Sequence, residues 1–142
     1  MMKINAIVSN RPDNHTVTLQ TGDNSHSIEI ASKSQGRGSS ASGAELLCLA
    51  LATCYCNDIF REAALRTIAV SSVVVEVSAQ FDGTPGSPLR DIAYSATVEA
   101  DASEAEIVAL MRHTNTVAEI QNTLRGSSAI MLDRAAAIST RR

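Results

Sequence analysis

The residues of this chain best suited to chemistry are its three cysteines, Cys48, Cys54 and Cys56, clustered within nine positions. A thiolate is a strong nucleophile, whereas an unperturbed thiol, with a pKa of about 8.5, is only a few per cent ionised at neutral pH. A reactive cysteine therefore needs a cation beside it. Arg37, in the polar stretch just before the cysteine-bearing segment, is the candidate: its guanidinium is always charged, and its planar fork could hold a thiolate together with an oxygen of the reaction partner. The plainer reading of Arg37 is a solvated loop charge. A cysteine within a buried helix is ordinarily an inert small hydrophobe, which suits Cys48. Cys54 differs because it lies near the point where the polarity of its helix changes, so its sulfur can line a pocket.

Other chemistries find little support. The cysteines are odd in number and closely spaced, a poor disulfide framework that suits a reducing compartment. Residues two apart on a helix point about 200° from one another, which strains a Cys54–Cys56 bridge, and Cys48 lies roughly 9 Å along the axis from Cys54. Gly38 and Gly43 have the glycine spacing of a phosphate-binding loop, but Ala44-Glu45 follows where Lys and Ser/Thr are required. Cys54 and Cys56 with His15, His26 or His113 match no metal-ligand spacing. Ser39, Ser40 and Ser42 lack the strand-to-helix elbow of a serine hydrolase. No metal or cofactor is expected.

The elements that must position Cys54 follow from patterning. Ile4, Ala6 and Val8, then Val17 and Leu19, then Ile28 and Ile30 alternate as strands, with turn residues at 12–14 and 21–24 between them, so a three-stranded antiparallel meander is expected. Residues 32–43 carry three glycines and almost nothing apolar, and read as a mobile loop. From Ala44 to Arg66 Leu and Ala predict a helix, apolar on all sides over 46–56 and amphipathic thereafter. An all-round apolar helix in so small a chain needs a central position or a partner subunit. Val70–Phe81 and the segment carrying Ile92, Tyr94, Ala96 and Val98 predict a long antiparallel hairpin. Ser103 and Glu106 form a capping box that opens a helix with an Ile107, Leu110, Met111 stripe; a short helix over 116–124, a break at 125–127 and a last strand over 128–135 complete the expectation.

Composition bounds the function. The 142 residues, 44% hydrophobic and 19% charged, suit one α+β domain covering 1–142. Two Phe, two Tyr, no Trp and a net charge of −3 argue against stacking on bases or binding phosphate backbones, so no nucleic-acid partner is expected; the terminal Arg141-Arg142 is too short to change this. No apolar run reaches the length expected of a membrane span and the first residues lack the apolar core of a signal peptide, so no membrane partner and a cytoplasmic location are expected.

The run Gly43-Ala44-Glu45-Leu46-Leu47-Cys48-Leu49-Ala50-Leu51-Ala52-Thr53-Cys54 resembles the cysteine-bearing helix "P-x-E-L-L-L-A-A-L-A-G-C" of OsmC/Ohr-family proteins, and Thr116 to Gly126 is similar to their second motif, "C-P-x-S-N-x-x-x-G". The order of elements agrees over nearly the whole chain. The resemblance implies an OsmC-like fold, an intertwined homodimer with sites at the subunit interface, and a peroxide-reactive thiol at Cys54, with Arg37 as thiolate activator, Glu45 as the arginine's partner, and Tyr55 and Ile120 shaping an apolar pocket. Two departures qualify it. Ala118 stands where hydroperoxide-reducing members carry their second cysteine, with Glu119 in place of proline; and Glu45 lies nine residues before Cys54, where Ohr members have ten. Glu45 thus also reads as a first-turn helix acid favoured by the macrodipole. The expected activity is a one-cysteine cycle, in which peroxide oxidises Cys54 to a sulfenic acid and an external thiol restores it. The alternative is an inactive OsmC-like dimer that binds an apolar small ligand.

Overall fold

The alternating N-terminal residues form the expected meander: β1 (Ile4–Arg11), β2 (Asn14–Thr21) and β3 (Asn24–Ile28) pair antiparallel in the order β1-β2-β3. The register lines Val8, Val17 and Ile28 into one row across the three strands. Gly22, at φ 57°, supplies the left-handed backbone that the turn into β3 requires. The structure, a computed structural model, describes residues 1–126 and 128–140.

The glycine-rich stretch that follows closes on itself. Lys33 N–H donates to the Gly38 carbonyl at 2.9 Å and Ser40 N–H to that of Ala31 at 2.9 Å. Helix α1 (Gly43–Leu65) then starts on a capping box that was not expected here: Ser42 Oγ accepts from Glu45 N–H at 3.0 Å and Glu45 Oε1 accepts from Ser42 N–H at 2.8 Å. Its far end closes with Thr67 N–H on the Ala64 carbonyl and Ile68 N–H on that of Ala63, the paired bonds of a Schellman motif, which hold Thr67 at φ 56°.

Strands β4 (Ala69–Gln80) and β5 (Arg90–Asp101) make the second antiparallel sheet. Period-2 burial turns Val73, Val75, Val77 and Ala79 inward from β4 and Tyr94, Ala96 and Val98 from β5, while Phe81 lies beyond the strand and is exposed. Ser103 caps α2 (Glu104–Val117) with the capping box in place. This helix runs further than expected, to Val117, and α3 is correspondingly shorter, Glu119–Arg125, with the extended Ala118 between them. Residues 128–140 form no strand and are exposed, among them Ile130, Met131 and Leu132. The strand expected over 128–135 is not formed, and the segment pairs with neither sheet among the described residues. Ser127, Arg141 and Arg142 lie outside the described residues.

The chain divides into two compact units, Met1–Leu49 with Ala79–Asp91, and Ala50–Ser78 with Ile92–Arg142. The second holds the core: Tyr55, Ile59, Ala63 and Leu110 are buried together, with Ile68, Val70, Val73, Val75, Tyr94, Ala96, Val98 and Met111 packed around them. Tyr55 and the half-buried Tyr94 meet edge to face with ring centroids 4.9 Å apart, and Tyr55 Oη donates to the Met111 carbonyl at 2.8 Å, so the buried Tyr55 contributes both area and a satisfied polar tip. At 23 residues α1 does reach the length and apolarity needed to cross a bilayer. Its stripe of Leu51, Tyr55, Ile59 and Ala63 is buried within the protein instead, with Asp58 and Glu62 buried beside it. The expected burial of 46–56 on all sides is incomplete in the single chain: Leu49 is 57% exposed, and the first fully buried residue is Leu51.

Candidate functional site

Cys54, Asp58 and Arg61 recur at the i, i+4, i+7 spacing that puts residues on one face of α1, and the first residue of α3 brings Glu119 to them. The half-buried Cys54 Sγ lies 3.6 Å from Asp58 Oδ2 and 3.6 Å from Glu119 Oε2, able to donate to either. Arg61 Nη1 is 2.8 Å from Glu119 Oε1 and 3.1 Å from Asp58 Oδ1. Its Nε donates to Glu62 Oε2 at 3.2 Å, and Glu62 Oε1 meets His113 Nε2 at 2.7 Å. A continuous polar network thus runs from the sulfur through Asp58 and Glu119 to the Arg61 guanidinium and on through Glu62 to His113.

The two carboxylates beside the sulfur are not equivalent. Glu119 is exposed, and its own backbone N–H, the Asp58 carboxyl and Arg61 hold it down from 4.5 to about 2. Burial and the neighbouring Glu119 charge push Asp58 upward. Of the two acids Asp58 is therefore the readier to take up a proton, and Glu119 the one that stays charged to lower pH. Burial also raises the Cys54 thiol, and Asp58 adds to that, while the backbone N–H groups of Ile120 and Glu119 pull it down. Within this chain no net activation of the thiol results.

The other candidates occupy distinct places. Arg37 is exposed; its Nε donates to Asn10 Oδ1 at 3.1 Å and its Nη2 to the Asn10 carbonyl at 3.5 Å. Glu45 is held below its ordinary carboxylate range by the backbone and hydroxyl of Ser42, as the capping role requires. Tyr55 lines an open cleft of about 570 Å³ with Tyr94, Ser95, Ala96, Met111, Arg112 and Asn115. Ile120 acts on Cys54 through its backbone N–H. Cys48 and Cys56 are free and half-buried. Ala118, at the position of the family's second cysteine, is fully buried.

Asp58, Arg61 and Glu119 escaped the sequence reading as site residues. The signal for the first two was available, since Cys54, Asp58 and Arg61 share a helical face; Glu119 is 65 residues away and only the fold brings it in. Cys54 Sγ and the carboxylates of Asp58 and Glu119 offer ligand atoms within 4.8 Å of one another, a donor set a divalent cation could use, though Arg61 already bridges both acids.

A half-buried helix cysteine flanked by carboxylates, in an α+β chain of two antiparallel sheets and three helices, defines a class of thiol-bearing α+β proteins. Within that class the OsmC-like protein family model matches residues 36–133, and the chain belongs to this family. An OsmC-like protein from Mycoplasma pneumoniae is similar in structure with a TM-score of 0.63 and 19% identity, covering 89% of this chain and 88% of its own. An organic hydroperoxide resistance protein OsmC from Legionella pneumophila gives 0.52 and 18%, over 86% of this chain and 90% of that one. An OsmC-like protein of unknown function from Vibrio cholerae gives 0.61 and 13%, over 87% and 94%. No curated protein matches the chain.

Proposed function

We propose that this chain is a thiol-dependent hydroperoxide-reducing or related redox protein that works through Cys54, as a homodimer in the cytoplasm. One observation carries the reading: a half-buried thiol stands 3.6 Å from a buried carboxyl group whose proton affinity is raised. Such a group can move a proton between the sulfur and a departing oxygen. Cys54 passes its proton to Asp58, the sulfur attacks the outer peroxide oxygen, the S–O bond forms as the O–O bond breaks, and Asp58 returns the proton to the leaving alkoxide. The products are a Cys54 sulfenic acid and an alcohol. Two equivalents of an external small thiol then give water, a disulfide and the restored Cys54 thiol. Ala118 supplies no internal thiol, which is why the reductant is external. Arg37 as the cation that lowers the thiol and Glu45 as its partner belong to the proposal on family resemblance alone.

The homodimer is supported by apolar surface. Ile4, Ile7, Val8 and Ile28 of the first sheet and Leu49 of α1 are exposed in the single chain, apolar side chains that a second copy could cover.

The second reading, an OsmC-like dimer without turnover that binds an apolar small ligand, is favoured by the raised Cys54 thiol and the missing second cysteine. Mass spectrometry with a sulfenic-acid trap, after brief exposure of the reduced protein to cumene hydroperoxide or hydrogen peroxide, separates the two. Rapid trapping at Cys54, faster with the organic peroxide and absent from Cys54→Ser, is expected. Modification no faster than that of a model thiol would sink the redox reading.

A further inference from the structure

Arg112 differs from the other cation of the α1–α2 face, Arg61, in that nothing neutralises it. The residues one turn away from it on α2 are Val108, Ala109, Asn115 and Thr116, so no acid shares its side of the helix. Among the described residues the ion pairs of Asp58, Glu62 and Glu119 go to Arg61 and His113, and Arg112 makes none. That much is true of many surface arginines, and the setting is what distinguishes this one. Arg112 lines the open cleft of about 570 Å³ in the second unit, whose walls include Tyr55, Tyr94, Ala96 and Met111 and no Asp or Glu.

Asn115, which also lines the cleft, adds a second donor. Its Oδ1 accepts from Tyr94 Oη and from Arg125 Nη2, and because a guanidinium can only donate, the amide orientation is fixed with Nδ2 as the end left over. That nitrogen has no partner, and it is accessible: the buried side-chain atoms without a partner among the described residues are His15 Nε2 and Gln121 Oε1. Arg125 itself bonds only neutral oxygens, those of Asn115 and Asn122, so its charge is unopposed as well. Burial raises the Tyr94 phenol and Arg125 pulls it back down, so that positive charge is felt in the cleft wall. The phenol groups of Tyr55 and Tyr94 are already engaged, on the Met111 carbonyl and on Asn115. The cleft thus offers a ligand aromatic and apolar area, unpaired N–H donors and positive charge, with no carboxylate to repel an anion.

We propose that this cleft binds a small aromatic carboxylate, its ring against Tyr94, Ala96 and Met111 and its carboxylate on Arg112 and Asn115. The volume falls within the roughly 300–1,000 Å³ of small-molecule sites. A planar guanidinium matches a carboxylate in a bidentate pair, and an aromatic ring gains from an aromatic neighbour and from a methionine sulfur beyond the area it buries. Inorganic phosphate would use the same charge and leave the aromatic wall idle. Cys54, Asp58 and Glu119 do not line the cleft, so the proposal stands apart from the redox reading.

The test is an NMR titration of the reduced full-length protein, without peroxide, using 2-naphthoate, its neutral near-isostere 2-naphthamide, acetate and inorganic phosphate. Naphthoate is expected to bind at least about fivefold more tightly than naphthamide, the scale of a charge-assisted pair at a half-open site. It should also bind more tightly than acetate or phosphate, and should shift the Met111 methyl and the Asn115 side-chain amide. Arg112→Gln, at an exposed position, should erase the preference for naphthoate over naphthamide. Arg66→Gln removes the same charge from an exposed residue outside the cleft and should leave the preference intact. Equal affinity for naphthoate and naphthamide, equal losses in the two variants, phosphate binding as tightly as naphthoate, or no binding of naphthoate would each overturn the proposal. Because no peroxide is present, an inert Cys54 would fail the redox reading and leave this result standing, and the reverse holds equally.

Discussion

The two units of the chain bury their apolar residues very differently. In the second, Ile59 and Leu110 are fully buried and Tyr55 and Ala63 nearly so, with two strands and two helices contributing side chains to one cluster. In the first, the meander buries Val17 alone, while Val8, its cross-strand neighbour, is 62% exposed. A three-stranded sheet needs an apolar face covered to be stable. The second unit thus holds the packed core, and the first leaves most of its large apolar residues exposed in the single chain. The contrast can be broken most sharply from the core side. Ile59→Ala should cost about 2–5 kcal/mol, the range for removing a large buried aliphatic side chain from a packed site. Denaturant unfolding of the variant would measure it, and a loss under about 1 kcal/mol would mean that the second unit is not the packed core described here.

The first unit offers the complementary test. Val8→Ser removes apolar surface that is exposed within the single chain, so a monomer should lose well under 1 kcal/mol of stability. If a second copy covers the Val8, Val17, Ile28 row, the same change should weaken self-association by about tenfold, the effect of losing roughly 1.4 kcal/mol at the interface. Sedimentation over a range of concentrations distinguishes the outcomes. A wild-type chain that remains monomeric at high concentration would refute the dimer altogether.

Much of the fold was legible because its signals are local. Alternation gave the meander and the hairpin, Leu and Ala density gave α1, and the Ser103–Glu106 box gave the start of α2. The Ser42–Glu45 box carries the same signature three residues apart, and in the structure Glu45 caps its own helix. The strand expected over 128–135 failed for a different reason: apolar residues such as Ile130 and Leu132 mark a segment that could pair, but whether a sheet takes such a segment up is decided by tertiary structure, and here neither does. The site was legible only at Cys54. Glu119 and Gln121 reach α1 across long sequence separations, and whether a carboxylate is buried, or an amide oxygen left without a donor, is decided by packing that no spacing encodes.

The finest distinction within the second unit is between the two acids at Cys54, and Asp58→Asn sharpens it. Asparagine keeps the shape and an acceptor for the thiol, but it carries neither charge nor exchangeable acid. Since Asp58 contributes to raising Cys54, the variant's thiol should ionise more readily, and iodoacetamide should label it several-fold faster near pH 7.5. Oxidation by cumene hydroperoxide should not gain in parallel, because the proton for the leaving alkoxide has lost its carrier; the ratio of the two rates isolates the shuttle from simple activation. The pH dependence of stability checks the same assignment. Asp58 is raised from 3.8 on folding, so the native state holds the extra proton and stability from this group falls as pH rises through the folded value. Glu119 is lowered from 4.5 to about 2, so its contribution is present above 4.5 and is lost as pH falls towards 2. Thermal melts of Asp58→Asn should therefore lose the decline above pH 4 and keep a rise between pH 2 and 4.5, reduced because Asp58 helps to depress Glu119. If alkylation and peroxide oxidation instead accelerate by the same factor, Asp58 acts only through its charge and the proton path runs elsewhere.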